Sequence, residues 1–426
     1  MRARLIRTFQ SLTVRNYRLF ATGQLVKLTG VWIMFVAQDW LVLQLSDDSA
    51  AAVGIVVALQ FTPLLLLTLV GGALADRYDK RKLLILANGL FASLAIGFAL
   101  LVVTGVVQLW HVYLFAGLLG TVNSIETPAR QAFVSELVGT TLLPNALSLN
   151  ASVFNSARIA GPAIAGVAIA TVGLGPTFLI ATLAAISPVV SLLRMRPAEL
   201  HREPTPAPGE RRRAGIRDGL RYVWHRHDLV LAMALVAVVG AAGFNFQVTL
   251  PVLSKVVHDT GAAAFGVLAT CLAAGSLAGA LAGSWRRSRP SAYLVIGAAV
   301  AFGGFCVLVG VASTYWLVAL LLLPTGFFAI FFAQAANQRV QLGCEAAYRG
   351  RVMALYVLVF LGTTPLGSLA VGWWSEHFGP ESAIWMGGAV SLLAGATALL
   401  WQLRRRGEVL RLRIRPVPGL YVARAG

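Results

Sequence analysis

The sequence predicts an all-α integral membrane protein with twelve transmembrane helices in two pseudo-symmetric six-helix bundles. Three observations predict it. The 426 residues are 58% hydrophobic and only 12% charged, with a mean hydropathy of +0.75, which is more apolar surface than a water-soluble core hides. Apolar runs of about 20 residues, enough to cross about 30 Å of hydrocarbon at ~1.5 Å per residue, recur along the whole chain. Finally, the chain repeats itself: Gly71-Gly72-Ala73-Leu74-Ala75-Asp76-Arg77 is echoed by Gly279-Ala280-Leu281-Ala282-Gly283-Ser284-Trp285-Arg286-Arg287, Gly72 to Gly279 being an offset of 207, and Pro162 by Pro365 at an offset of 203. A chain built as two like halves is the signature of a solute carrier.

The twelve expected spans are 19–45, 51–75, 83–104, 109–130, 147–170, 174–193, 229–253, 261–284, 292–312, 315–338, 352–374 and 382–403. The first follows a basic start, Met1 to Arg7, and is too long for a signal peptide, so it reads as a retained helix. Spans two and three are joined by the charged turn Asp76 to Lys82. Span four ends on Glu126, Pro128 and Arg130, and span five carries Gly161-Pro162. Span six ends at residue 193, completing an N-terminal bundle of residues 1–193. Residues 194–228 form a basic linker: from Arg194 to Arg226 there are nine Arg, four Pro and three Glu, a composition that stays in water. The C-terminal bundle spans 229–403, with Phe244-Asn245-Phe246-Gln247 in span seven, Gln334 and Asn337 in span ten and Thr364-Pro365-Leu366-Gly367 in span eleven. A basic tail, 404–426, opens with Arg404-Arg405-Arg406. Pro162 and Pro365 interrupt the hydrogen-bond ladder beside glycines, so helices five and eleven are expected to bend there.

Charge fixes the orientation. Of 35 Lys and Arg, 32 fall on the side of the N-terminus, the linker and the tail, Lys255 alone falls on the other, and Lys27 and Arg158 lie within spans. The positive-inside rule then makes both termini cytoplasmic and places the protein in the cytoplasmic (inner) membrane. The net charge of +18 is therefore a topology signal and not a nucleic-acid footprint; the Arg211-Arg212-Arg213 run and the Arg404-Arg405-Arg406 run suit membrane lipid headgroups. None of the four lysines sits in a phosphate-binding loop, and no His or Cys spacing suits a metal. Cys271 and Cys306 lie in spans and Cys344 in a cytoplasmic loop, so no disulfide is expected. No catalytic constellation, cofactor or metal site is expected, and the chain reads as a monomer that is not an enzyme.

Ionisable groups in hydrocarbon cost at least about 3 kcal/mol each, so they mark a pathway or a partner. Asp39, Glu126 and Arg158 are the candidates for proton coupling, although Glu126, beside Pro128 and Arg130 near the level of the Asp76 to Lys82 turn, reads first as part of an inner-gate ion pair; a carboxylate screened from water in one state is suited to bind and release a proton, and a guanidinium at mid-span requires an anion or water. At about 100° per residue Gln24, Lys27 and Gln38 share one narrow arc of helix one, with Asp39 at its edge, and that stripe is expected to line a wet cavity. Asn155, Phe244, Asn245, Phe246, Gln247, Gln334 and Asn337 complete the cavity candidates, a mixed aromatic and polar wall suited to an amphipathic ligand.

Gly72-Ala73-Leu74-Ala75-Asp76-Arg77 with Arg81-Lys82 resembles the loop signature of the major facilitator superfamily. Ala37-Gln38-Asp39-Trp40-Leu41-Val42-Leu43, Pro128-Ala129-Arg130-Gln131-Ala132-Phe133, Ala157-Arg158-Ile159-Ala160-Gly161-Pro162 and Arg349-Gly350-Arg351-Val352-Met353-Ala354 are similar to its branch with enterobactin exporters and macrolide efflux proteins. The resemblance implies the major facilitator fold and a cytoplasmic gate at Gly72, Asp76, Arg77, Arg81 and Lys82, to which Arg130 is added. It also implies secondary active export of a drug-like or siderophore-like small molecule by alternating access, with protons as the coupling partner. Import of a nutrient or siderophore is the alternative within transport, and a non-transporting membrane receptor or scaffold the alternative outside it.

Overall fold

The computed structural model describes residues 9–201, 216–286, 288–345, 348–413 and 419–424; the basic start Met1 to Arg7, the Arg211-Arg212-Arg213 run and Arg287 lie outside the described residues. Helix α1 is Arg15–Leu45, α2 Ala50–Arg77 and α3 Lys80–Val103. Their starts are set by short polar side chains: Ser49 Oγ accepts from Ala52 N (3.1 Å) and Asp79 Oδ1 from Lys82 N (2.9 Å), each satisfying an otherwise unpaired first-turn amide.

The next helical run, Leu109–Val172, is long enough to cross twice, and Gly139 breaks it with φ +67°, a conformation that only glycine adopts at little cost. Its arms are α4 (109–138) and α5 (140–172). The sequence reading ended span four at 130 and began span five at 147; the helices instead continue past the apolar stretch. They do so because Phe133, Val134, Leu137 and Ala146 find a core of their own against Tyr17 and Phe20 of α1. The remaining crossings are α6 Leu174–Leu193, α7 His227–Val257, α8 Ala262–Ser284, α9 Ala292–Val311, α10 Tyr315–Gly343, α11 Arg349–Phe378 and α12 Pro380–Arg406.

Twelve crossings return the chain to the end where it began; that end, with the linker, is called basal here and the other apical. The linker contains a short helix, Ile216–Trp224, and strands β1 (Glu408–Arg413) and β2 (Gly419–Arg424) pair antiparallel in the tail. Helix α7 is not continuous. It runs from His227 to Gly243, leaves helical geometry at Phe244-Asn245 and resumes at Phe246. The Asn245 side-chain amide donates to the Ala241 carbonyl (2.7 Å), satisfying an acceptor that the interruption frees.

Small residues let the helices of each half approach closely: α2 rests on α4 at Gly71 and Gly120, and α8 on α10 at Gly275, Gly279 and Gly326, where a methyl group would strike the neighbour's backbone. Exposed tryptophans collect at both ends, Trp110, Trp316, Trp373 and Trp385 apically and Trp224, Trp285 and Trp401 basally, as two belts at membrane interfaces.

The halves meet apically. Gly54 of α2 lies on Ser368 and Gly372 of α11, and Gly166 of α5 on Ala262 and Ala263 of α8. The Glu376 carboxylate accepts from Ser49 Oγ and Ala51 N (both 3.1 Å) at the start of α2, where the helix dipole favours an anion. Asp48 pairs with Lys255, whose ammonium lies 5.7 Å from the Trp40 ring, and Trp40 stacks on Phe265 at 6.5 Å. Along α2 and α11 the approach reaches Leu65 and Gly362, where a methyl group on the glycine would just touch the leucine. The next basal turn of α2 carries exposed Leu66, Leu69 and Val70, and Gly72 borders open space.

Candidate functional site

A cavity of about 410 Å³ lies between the halves, lined from α1, α2 and α5 on one side and α7, α8, α10 and α11 on the other. Helical spacing builds each wall. On α5, Phe154, Arg158 and Pro162 recur every four residues and so form one stripe; on α1, Trp32, Phe35, Val36 and Asp39 do the same at three- and four-residue spacing. The α7 interruption turns Phe244, Phe246 and Gln247 into the opposite wall, where Phe265 of α8 and Phe360 of α11 join them. Trp32 meets Phe154 edge to face at 6.2 Å, and Phe244 meets Phe360 at 6.2 Å, a geometry favoured by the ring quadrupoles.

Two ionisable groups face this cavity, Asp39 and Arg158, both on the N-terminal wall. They do not pair with each other, and among the described residues no carboxylate lies within ion-pairing distance of Arg158. A guanidinium is always charged and presents its donors as a planar fork, a geometry that matches a carboxylate or another flat anion. Asp39 is 7% exposed and faces the same space, a single acceptor group for a donor or cation on the ligand.

The expected polar stripe of α1 lies elsewhere. Gln24, Lys27 and Gln38 are buried inside the N-terminal half and do not line the cavity, whose α1 face is turned about 100° from them at the helical period. The cause is a partner that spacing along one helix does not reveal: Lys27 Nζ lies 2.8 Å from Glu126 Oε1 of α4 and 5.3 Å from the Phe91 ring of α3. Arg130 Nε, one turn on, donates to the other Glu126 oxygen at 3.3 Å. Glu126 is thus the centre of a buried three-charge cluster between α1 and α4. The Gln38 amide, wholly buried, has no hydrogen-bond partner on either atom.

The other polar candidates divide. Phe244, Phe246 and Gln247 face the cavity. Asn245 is buried against α11 at Gly367. Asn155 turns its amide back on the Ala151 carbonyl (2.8 Å), Gln334 lies against Gly283 at the end of α8, and Asn337 sits by the Tyr356 hydroxyl. Gly161 packs on Trp32, which brings α5 against α1 beside Pro162, and Pro365 lies within a helix that continues through it.

In the basal cluster, Arg81 donates to the carbonyls of Leu192 (2.9 Å) and Leu193 (3.4 Å) at the end of α6, and Lys80 pairs with Glu136 of α4 at 2.6 Å. These bonds stay within the N-terminal half. Asp76, Arg77 and Lys82 are exposed at its edge. Sequence reading missed Lys27 as the partner of Glu126, the role of Lys80, and the aromatic part of the cavity wall at Trp32, Phe35, Phe154 and Phe265; the four-residue spacing of Phe154, Arg158 and Pro162 was the signal available for the last.

Residues 6–415 match the family described as transmembrane secretion effectors. The staphyloferrin A transporter of Staphylococcus aureus (strain NCTC 8325 / PS 47) is 27% identical over 371 residues, covering 84% of this chain and 89% of that one. The fold is similar to the crystal structure of the nucleoside transporter NupG, with a TM-score of 0.73 at 10% identity over 90% of this chain and 98% of that one. It is also similar to a bacterial homologue of the human lysosomal transporter Spinster, in an inward-facing and occupied conformation, with a TM-score of 0.70 at 13% identity over 91% and 97% of the two chains.

Proposed function

This chain belongs to the transmembrane secretion effector family of major facilitator transporters, and from that membership we propose that it exports an amphipathic small molecule of siderophore or drug type in exchange for protons. The cavity between the halves carries the reading. Its aromatic walls suit rings and alkyl surface, and the unpaired Arg158 guanidinium suits an anionic group on the same ligand. The relative that handles staphyloferrin A supports a siderophore-like solute.

In the proposed cycle the protein rests open to the cytoplasm, with the apical contacts of Glu376, Asp48 and Trp40 closed. The ligand enters from the basal side, its anion engages Arg158, and the halves rock until Gly72 and the Asp76 to Lys82 turn close the basal side. A proton reaching Asp39 from outside then weakens the site for the ligand and returns the carrier. Such coupling requires only that ligand and proton favour opposite states. The termini face the cytoplasm, and the monomer is the working unit.

The test is flux into inverted vesicles under an imposed pH gradient, with a panel of siderophores and amphipathic drugs, for wild type, Asp39→Asn and Arg158→Gln. Gradient-driven uptake that Asp39→Asn uncouples and Arg158→Gln abolishes for anionic compounds is the expected result. Accumulation only in right-side-out vesicles makes the protein an importer, and gradient-driven flux equal in all three proteins removes both residues from the mechanism.

A further inference from the structure

A second pocket, of about 380 Å³, opens at the basal end of the C-terminal half and shares no lining residue with the central cavity. Arg226, Arg339, Arg405 and Arg406 line it with a single carboxylate, Asp228, and with Gln402. We propose that this pocket holds the phosphoryl headgroup of an anionic phospholipid from the basal leaflet.

Among the described residues the charges around the pocket do not balance. Asp228 is already occupied, accepting from Arg226 at 3.1 and 3.2 Å and from Arg289 at 2.5 Å. Glu408, 4.0 Å from Arg406, also takes the Tyr293 hydroxyl. Five guanidiniums thus face two carboxylates. The decisive group is Arg339. It is 7% exposed and bonds the Pro290 carbonyl through Nη1 (2.8 Å), while its Nε, sealed from solvent, has no hydrogen-bond partner. A buried donor on a permanent cation is costly unless an acceptor with negative charge arrives, and phosphoryl oxygens supply both.

The surroundings select a lipid over a free anion. Arg405 lies 5.3 Å over the ring of Trp401, which is exposed one turn before it on α12. An exposed interfacial ring therefore adjoins the pocket, with tryptophan and arginine at the level where headgroups lie. A headgroup seated beside Trp401 would place its phosphate among Arg339, Arg405 and Arg406.

The test is lipid retention by the purified full chain in native mass spectrometry, after equilibration with mixed phosphatidylglycerol and phosphatidylcholine. Wild type is expected to keep phosphatidylglycerol selectively, and Arg405→Gln with Arg406→Gln to lower that retention about tenfold or more. Removing two exposed arginines of the other half, Arg18→Gln with Arg194→Gln, is expected to leave it unchanged. Arg339→Gln is expected to lower it as well; if that variant does not fold, the two surface substitutions carry the test. Equal retention of both lipids, wild-type retention in the Arg405/Arg406 variant, or equal loss in the control overturns the proposal. Displacement of the lipid by millimolar inorganic phosphate overturns the choice of a lipid, leaving a free-anion site.

Discussion

The two halves share one architecture and divide the chemistry between them. Among the described residues the N-terminal half holds the charged side chains that lie deep in the bundle, Lys27, Asp39, Glu126 and Arg158; the C-terminal half gives the cavity only uncharged groups, rings with Gln247 and a few hydroxyls, and keeps its buried arginine at the basal rim. Within the charged half the division continues. Lys27 is paired inside the bundle and Arg158 is unpaired in the cavity. Two cations at similar expense in hydrocarbon thus differ in surroundings, one tying helices together and one, on the proposed function, left for a ligand.

That contrast breaks most sharply at Glu126. Glu126→Gln strands Lys27 beside Phe91 with 3% of its surface exposed, and removing one member of a buried pair costs about 3–5 kcal/mol. A large drop in the melting temperature of the detergent-solubilised protein is expected, with most of it recovered when Lys27→Met is added. An unchanged melting temperature for Glu126→Gln would deny the cluster its structural role. Arg158→Gln is the converse case. Among the described residues no ion-pair partner is lost, so stability should hold, whereas a charged hydrogen bond to an anionic ligand is worth up to about 3 kcal/mol, or about 100-fold in affinity. Ligand-binding isotherms on the two variants separate the roles; loss of stability in Arg158→Gln without loss of binding would reverse the assignment.

The opposite wall is expected to yield smaller effects, because its contribution is spread over several rings. Phe244 packs against Phe302, Phe332 and Phe360. Phe244→Leu keeps most of the apolar volume and forfeits ring geometry, worth about 1 kcal/mol. About fivefold weaker binding of aromatic ligands, with aliphatic ones unaffected, is the expected outcome; equal weakening of both would mean that the wall acts by shape alone.

How far the sequence carries this picture depends on the range of the information. Spans, repeat and basal charge are written locally, in runs and turns, and each was legible. Gly173 and Gly379, both at φ +85°, extend the repeat to the tight turns between α5 and α6 and between α11 and α12. What was not legible depends on rotation and on distant partners. The arc of Gln24, Lys27 and Gln38 was correct as an arc, but which neighbour it faced hung on Glu126, 99 residues away. The α4–α5 extension likewise needed α1 as its packing partner, and the basal arginine pocket assembles residues from the end of the linker, α10 and α12.

The smallest expected effect concerns the apical seal, and it sharpens the contrast between the apical contacts of the halves and the cavity between them. Glu376 with Ser49 and Ala51, and Asp48 with Lys255, are partly exposed bonds, and such pairs contribute about 0–1 kcal/mol. Gly54, Gly372, Gly166 and Gly266 make the rest of the seal by backbone contact, which charge substitution leaves intact. Glu376→Gln with Lys255→Gln should therefore loosen the seal without opening it. In a background in which Cys271, Cys306 and Cys344 are replaced, a cysteine at the cavity residue Ala269 reports the change. Its labelling by an impermeant reagent from the apical face should rise by at most about fivefold, the ratio that about 1 kcal/mol allows. No rise would assign the seal to the glycine contacts alone, whereas a rise of a hundredfold would make the exposed bonds the main closure and leave the glycines as spacing.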